Sequence, residues 1–121
     1  LDFFGHVNNA TYLQIFEEAR WDFIEKRGFG LSKIKQLDLG PVILEANIKF
    51  RNEVVNLDQI TITTQFKEMR GKKMMIIYQE MQKNAQVAAT LELLIGLMDF
   101  KTRKLILPTD QWLEAMGVEE V

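Results

Sequence analysis

The spacing of apolar residues changes once along the chain, and this change limits the fold more than any other feature. From Asn9 to Arg27, apolar residues recur every three or four positions, which predicts one long helix. Farther on, apolar and polar residues alternate or form short apolar runs, which predicts antiparallel strands over 42–50, 60–67, 74–82 and 87–100. One helix followed by consecutive strands predicts an α+β domain in which an antiparallel sheet wraps around a long buried helix.

Turn-forming residues mark the ends of these elements. Gly28 is expected to end the long helix, and Gly71 to provide the positive φ of a hairpin at 69–72. One helical turn is predicted over 31–37, and Pro108 and Thr109 are expected to open a short helix that ends at Gly117. The 121 residues fit a single domain over 1–121.

Composition excludes several classes of function. The net charge is −2, so nothing favours a nucleic-acid partner, which would require clustered Lys and Arg. There is no Cys and only one His, which excludes thiolate metal sites, a Cys nucleophile and any site with two imidazoles; no metal is expected. No apolar run approaches the ~20 residues of a membrane span.

The residues before the long helix form the most informative motif. Asp2, Gly5, His6, Asn8 and Asn9 place a carboxylate, an imidazole and two amides in a loop that runs into a helix N-terminus. The first-turn N–H groups of a helix lack intrahelical partners, so with Asn8 or Asn9 as the N-cap one of them could face a developing oxyanion. Asp2 could orient a water, accept its proton or attack directly. An ordinary capped loop would use the same residue types, so spacing alone leaves both interpretations open.

The string Asp-x-x-Gly-His-Val-Asn-Asn-x-x-Tyr at 2–12, followed by Phe-Glu-Glu-Ala-Arg at 16–20, resembles the hot-dog-fold thioesterases, in particular the 4-hydroxybenzoyl-CoA thioesterase and acyl-CoA thioester hydrolase group. The resemblance implies that Asp2 is the catalytic nucleophile or general base and that the backbone N–H of Asn9 stabilises the oxyanion. His6 resembles the His of plant-type acyl-carrier-protein thioesterases. Those enzymes have Asn where this chain has Phe4. This difference favours a site formed by Asp2 and the N-terminus of the helix over the three-residue polar site of the plant-type enzymes.

The resemblance also implies where the substrate's carrier binds. The run Lys-Glu-Met-Arg-Gly-Lys at 67–72 is similar to a family hairpin that holds CoA phosphates, which assigns CoA binding to Arg70, Lys72 and Lys73. A solvated hairpin tip is the alternative, and Lys101, Arg103 and Lys104 form another basic cluster. CoA enters as part of the substrate, and no separate cofactor is expected.

The implied function is hydrolysis of an acyl-CoA thioester in the cytoplasm by a homodimer or homotetramer, with 42–50 as the strand that pairs across a two-fold axis. The alternatives are an acyl-carrier-protein thioesterase, a dehydratase or hydratase, and a non-catalytic acyl-thioester-binding or assembly module. The family begins with a strand before the Asp loop. Because the first residue is Leu1, we expect that strand, and with it any targeting segment, to precede this sequence.

Overall fold

The structure, a computed structural model, describes residues 9–55 and 58–118. These residues form three helices and five strands, and the helices and the first four strands follow the order expected from the sequence. Their bounds are α1 Asn9–Lys26, α2 Leu31–Leu37, β1 Leu39–Phe50, β2 Ile60–Arg70, β3 Met74–Lys83, β4 Gln86–Asp99, β5 Lys104–Ile106 and α3 Asp110–Ala115. The α+β prediction is therefore confirmed. The strand β5 was not predicted, because three residues are too few to show a period.

The strands form one antiparallel sheet in the order β1-β4-β3-β2, with β5 also paired to β4. The two hairpins β2–β3 and β3–β4 join strands that are neighbours in sequence, whereas β1 pairs with the distant β4. Pairing on both sides explains why β4 is apolar along most of its length. One edge of β1 pairs with β4. No described strand pairs with its other edge, which is 12 residues long, and we call it the open edge of β1.

The helix α1 packs against the inner face of this sheet through a stripe with a spacing of four residues. Tyr12, Phe16, Arg20 and Ile24 are buried along it, and each is at most 7% exposed. The opposite face of α1 is open, and Leu13 is 43% exposed. The sheet covers α1 from one side only, so the helix is buried along this stripe and exposed on its opposite face.

The predicted helix ends and turns are confirmed. Gly28 has φ +90°, the N–H of Gly28 donates to the carbonyl of Glu25, and the N–H of Phe29 donates to that of Ile24. These two bonds form a Schellman motif. Gly71 has φ +69° in the β2–β3 turn, and the Thr109 hydroxyl caps α3 by accepting from the N–H of Trp112.

The core continues from α1 to the other helices. Trp112 of α3 contacts Phe29 edge to face, with ring centroids 5.3 Å apart, which closes the core near the C-terminal end of α1. Across the described parts of the chain, no helix is both long enough and apolar enough to cross a membrane.

Candidate functional site

The N-terminal end of α1 is anchored to the segment that follows β1. The Tyr12 hydroxyl accepts a hydrogen bond of 3.0 Å from the N–H of Val54, and the Tyr12 ring contacts Phe50 edge to face at 5.0 Å. The helix begins at Asn9. Its first turn is therefore held close to the end of β1, where the predicted oxyanion site would lie.

The predicted catalytic side chains Asp2 and His6, and the N-cap candidate Asn8, lie outside the described residues. Of the three predicted catalytic positions, only the backbone of Asn9 belongs to a described element, as the first residue of α1. The first-turn N–H groups of a helix have no acceptor within the helix, and the positive end of the helix dipole lies there.

The loop beside this helix end is stabilised by a carboxylate. Asp58 accepts a hydrogen bond of 2.8 Å from the N–H of Val55 and forms an ion pair of 3.2 Å with Lys83. Lys83 in turn donates to the carbonyl of Glu53. The hydrogen bond from Val55 lowers the pKa of Asp58 most, desolvation opposes this effect in part, and the hydrogen bond and charge of Lys83 lower the pKa further. The carboxylate therefore helps to hold the loop that follows β1 beside the first turn of α1.

A buried polar network connects the middle of α1 to the sheet. The Arg20 guanidinium donates 3.0 Å to Oε1 of Gln79 on β3. The Gln79 amide donates 2.9 Å to the carbonyl of Phe16 and 3.0 Å to the hydroxyl of Thr64 on β2. Gln79 is fully buried and Arg20 is 7% exposed. Four polar groups of α1, β2 and β3 are thus joined inside an otherwise apolar core.

A groove of about 310 Å³ lies between α1 and β1, and we call it the α1–β1 groove. Most of its wall is apolar, and Arg20 and Glu17 are its only charged lining groups among the described residues. Its lining residues are Glu17, Arg20, Trp21 and Ile24 of α1, Pro41, Val42 and Ile43 of β1, and Ile95 of β4. The groove can accept a chain that is apolar for most of its length.

The predicted CoA-binding residues lie on the β2–β3 hairpin. Arg70 and Lys72 are exposed, and Arg70 lies 4.0 Å from the Glu68 carboxylate. Lys73 is exposed as well, and its ammonium donates 3.5 Å to the carbonyl of Leu105 in β5. The cationic side chains of the hairpin are therefore exposed to solvent. Exposure is expected both for a site that binds CoA phosphates and for a solvated hairpin tip.

The hairpin and the N-terminus of α1 lie at opposite ends of the sheet. β2 begins at Ile60 near the Val54–Asp58 loop and ends at Arg70, and eleven residues of strand span about 33 Å. Within one chain, the predicted oxyanion position and the predicted CoA-binding side chains are therefore not brought together. An antiparallel contact between two copies along β1 would turn the hairpin end of one sheet toward the α1 N-terminus of the other.

Sequence reasoning missed the buried network. The signal was present, because Arg20 follows Phe16 by four residues and precedes Ile24 by four, which places a charged side chain in the buried stripe. Gln79 shows the same pattern, since it lies between the inward-facing Ile77 and Met81 of β3.

Comparisons with known proteins agree with this fold. The family model of the thioesterase-like superfamily matches residues 1–116. The long-chain acyl-CoA thioesterase FadM of Escherichia coli is 33% identical over 105 residues, which cover 86% of this chain and 79% of FadM. The crystal structure of Escherichia coli YbaW superposes with a TM-score of 0.83 at 32% identity, covering 98% of this chain and 89% of YbaW. A protein of Aquifex aeolicus at 22% identity shares the fold, with a TM-score of 0.86 over 96% of this chain and 90% of its own. These matches confirm the predicted hot-dog fold and thioesterase activity, and the chain belongs to the thioesterase-like superfamily.

Proposed function

We propose that this protein hydrolyses an acyl-CoA thioester to the free acid and CoA. The observation that carries the proposal is the match of the thioesterase-like superfamily to residues 1–116, together with 33% identity to an enzyme named for long-chain acyl-CoA hydrolysis. The α1–β1 groove supports it, because a mostly apolar groove of about 310 Å³ suits an acyl chain.

The proposed chemistry uses the start of α1. Water or the Asp2 carboxylate adds to the thioester carbonyl, and the backbone N–H of Asn9 stabilises the oxyanion that forms. The carbon–sulfur bond then breaks, and CoA leaves as a thiolate that takes up a proton. When water has attacked, this step gives the free acid directly. When Asp2 has attacked, it gives an acyl–Asp2 anhydride, which a water molecule hydrolyses to the free acid and the Asp2 carboxylate. His6 positions the loop or the substrate. The contact of Tyr12 with Val54 supports this assignment, since it fixes the first turn of α1 and therefore the direction of its N–H groups.

CoA binding is assigned to Arg70, Lys72 and Lys73 at the hairpin. Changing Arg70 and Lys72 together to Ala should raise KM for acyl-CoA with kcat nearly unchanged, because contacts to the nucleotide are equal in the ground and transition states. We expect a roughly five- to thirtyfold loss in kcat/KM, since exposed charge contacts are individually weak. Changing Lys101 and Arg103 to Ala is the matched control.

Acyl-pantetheine, which lacks the nucleotide, should be insensitive to the Arg70 and Lys72 substitutions. Equal losses with acyl-CoA and acyl-pantetheine would contradict the assignment of CoA to the hairpin. A loss that is specific to acyl-CoA in the Lys101 and Arg103 variant would move the assignment to that second basic cluster.

A homodimer through β1 is part of the proposal. The open edge of β1 carries Ile43, Leu44 and Phe50, each more than 40% exposed, and an uncovered apolar strand edge favours pairing with another strand. Leu44→Lys should therefore weaken the dimer in light scattering, whereas Leu31→Lys, at a leucine of α2 that is 62% exposed, should leave it intact. A fully active monomer at micromolar concentration would contradict this part of the proposal.

Release of thiol from a panel of acyl-CoAs, followed with a thiol reagent, tests the proposed reaction. Turnover of acyl-CoA supports it. Turnover confined to acyl groups on a carrier protein would instead indicate a carrier-protein thioesterase, and binding without turnover would indicate an acyl-thioester-binding module. Hydration or dehydration without thiol release would indicate a hydratase.

A further inference from the structure

Arg20 is a buried cation whose hydrogen bonds are not all used inside the protein. A guanidinium carries five N–H donors, and the described bond to Gln79 uses one of them. No fully buried side-chain nitrogen or oxygen of the described residues lacks a hydrogen-bond partner. The guanidinium nitrogens that make no hydrogen bond are therefore not fully buried and keep a small solvent-accessible surface. Arg20 also lines the α1–β1 groove. Arg20 is thus a groove-lining residue with unused hydrogen-bond donors.

The charge of Arg20 has little compensation where it lies. Within residues 9–55 and 58–118, no carboxylate forms an ion pair with Arg20. Desolvation lowers the pKa of Arg20, and the more distant charge of the exposed Glu17 opposes this effect in part. The groove walls of β1 and β4 contribute Pro41, Val42, Ile43 and Ile95, which have no side-chain acceptor. A cation in such a position is costly unless an acceptor completes its hydrogen bonding.

The position of Arg20 separates it from the proposed chemistry. Arg20 follows Asn9 by eleven positions, which corresponds to about 16 Å along the axis of α1. A group bound at Arg20 is therefore remote from a carbonyl at the start of the helix. It would belong to the acyl chain and not to the thioester.

We propose that the Arg20 guanidinium binds an oxygen atom on the acyl chain, so that the α1–β1 groove selects acyl groups with a hydroxyl or oxo substituent on an otherwise apolar chain. The inference rests on the proposed function for the identity of the substrate. A neutral oxygen fits better than a carboxylate, because Glu17 on the same wall repels an anion. Arg20 is thus assigned as a specificity-determining residue.

Binding of the free acids tests this inference without relying on catalysis. Palmitate and a set of hydroxypalmitates, with the hydroxyl moved along the chain, are titrated against the protein. Fluorescence reports binding, because Trp21 lines the groove whereas Trp112 is fully buried. We expect at least one hydroxy acid to bind about tenfold more tightly than palmitate, which corresponds to about 1.4 kcal/mol.

Substitutions test whether Arg20 causes the preference for hydroxy acids. Arg20→Met should remove the preference for the hydroxy acid and leave palmitate binding equal or stronger. Arg20→Lys keeps the charge and should retain part of the preference. The control Arg27→Met changes an exposed arginine of the same helical region, outside the groove, and should retain all of it.

Equal binding of palmitate and every hydroxypalmitate by the parent protein would overturn the inference, as would an unchanged preference in Arg20→Met. The comparison within the parent protein holds even if Arg20→Met does not fold. Thiol release then separates the two proposals. Hydrolysis of acyl-CoA without a preference for oxygenated chains defeats this inference alone, whereas selective binding without hydrolysis defeats the proposed function alone.

Discussion

Replacing Gln79 with Leu should destabilise the protein more than any other single change to the polar network. Gln79 is fully buried and makes three hydrogen bonds, with Arg20, the carbonyl of Phe16 and the hydroxyl of Thr64. Leu has a similar volume, so the cost comes from lost hydrogen bonds rather than from a cavity. At about 1 kcal/mol for each bond, the free energy of unfolding should fall by about 3 kcal/mol. For a chain of this length, that loss lowers Tm by about 12 °C.

Urea unfolding followed by circular dichroism measures this effect, with all variants at one protein concentration. Gln65→Leu is the matched control, because Gln65 is exposed on the neighbouring strand β2 and should change stability by less than about 0.5 kcal/mol. If the free energies of unfolding of Gln79→Leu and Gln65→Leu differ by less than about 1 kcal/mol, the network does not stabilise the packing of α1 on the sheet.

Two further predictions concern the N-terminal end of α1. Tyr12→Phe removes the acceptor of the Val54 N–H and should lower the free energy of unfolding by about 1 kcal/mol. Tyr78→Phe, on the outer face of the sheet, is its control, and equal losses would contradict a specific anchor. The folded-state pKa of Asp58 is lowered, so its contribution to stability is present above the unfolded pKa of about 3.9 and is lost as pH falls through the folded value. Thermal melts should therefore show Asp58→Ala less stable than the parent at pH 7 and closer to it in acid, and a gap independent of pH would contradict this.

The sequence predicted the fold well because its local signals agree with one another. Apolar spacing identified α1 and four strands, and Gly28, Gly71 and Thr109 marked ends and turns that depend on local backbone geometry. The pairing of β1 with β4 was not predictable in the same way, because it joins strands far apart in the chain. The short strand β5 gave no periodic signal at all.

The candidate site was predicted less completely, for two physical reasons. Apolar periodicity is read from apolar residues alone, so it gave no prediction for Arg20, although the spacing of Arg20 places it in the buried stripe of α1. Spacing in sequence also does not give distance across a sheet. The hairpin at Arg70 and the helix start at Asn9 therefore could not be recognised as opposite ends of one sheet before the strand directions were known.

In the proposed mechanism, the Asp2 carboxylate before α1 drives hydrolysis of acyl-CoA. The most direct measurement is kcat/KM for long-chain acyl-CoA in Asp2→Asn, with Asp22→Asn as the control, since Asp22 is an exposed residue of α1 in an ion pair with Lys26. We expect turnover to fall at least about a hundredfold in Asp2→Asn and to remain unchanged in Asp22→Asn, with both variants folded. Hydrolysis by Asp2→Asn at the parent rate would contradict the proposed mechanism.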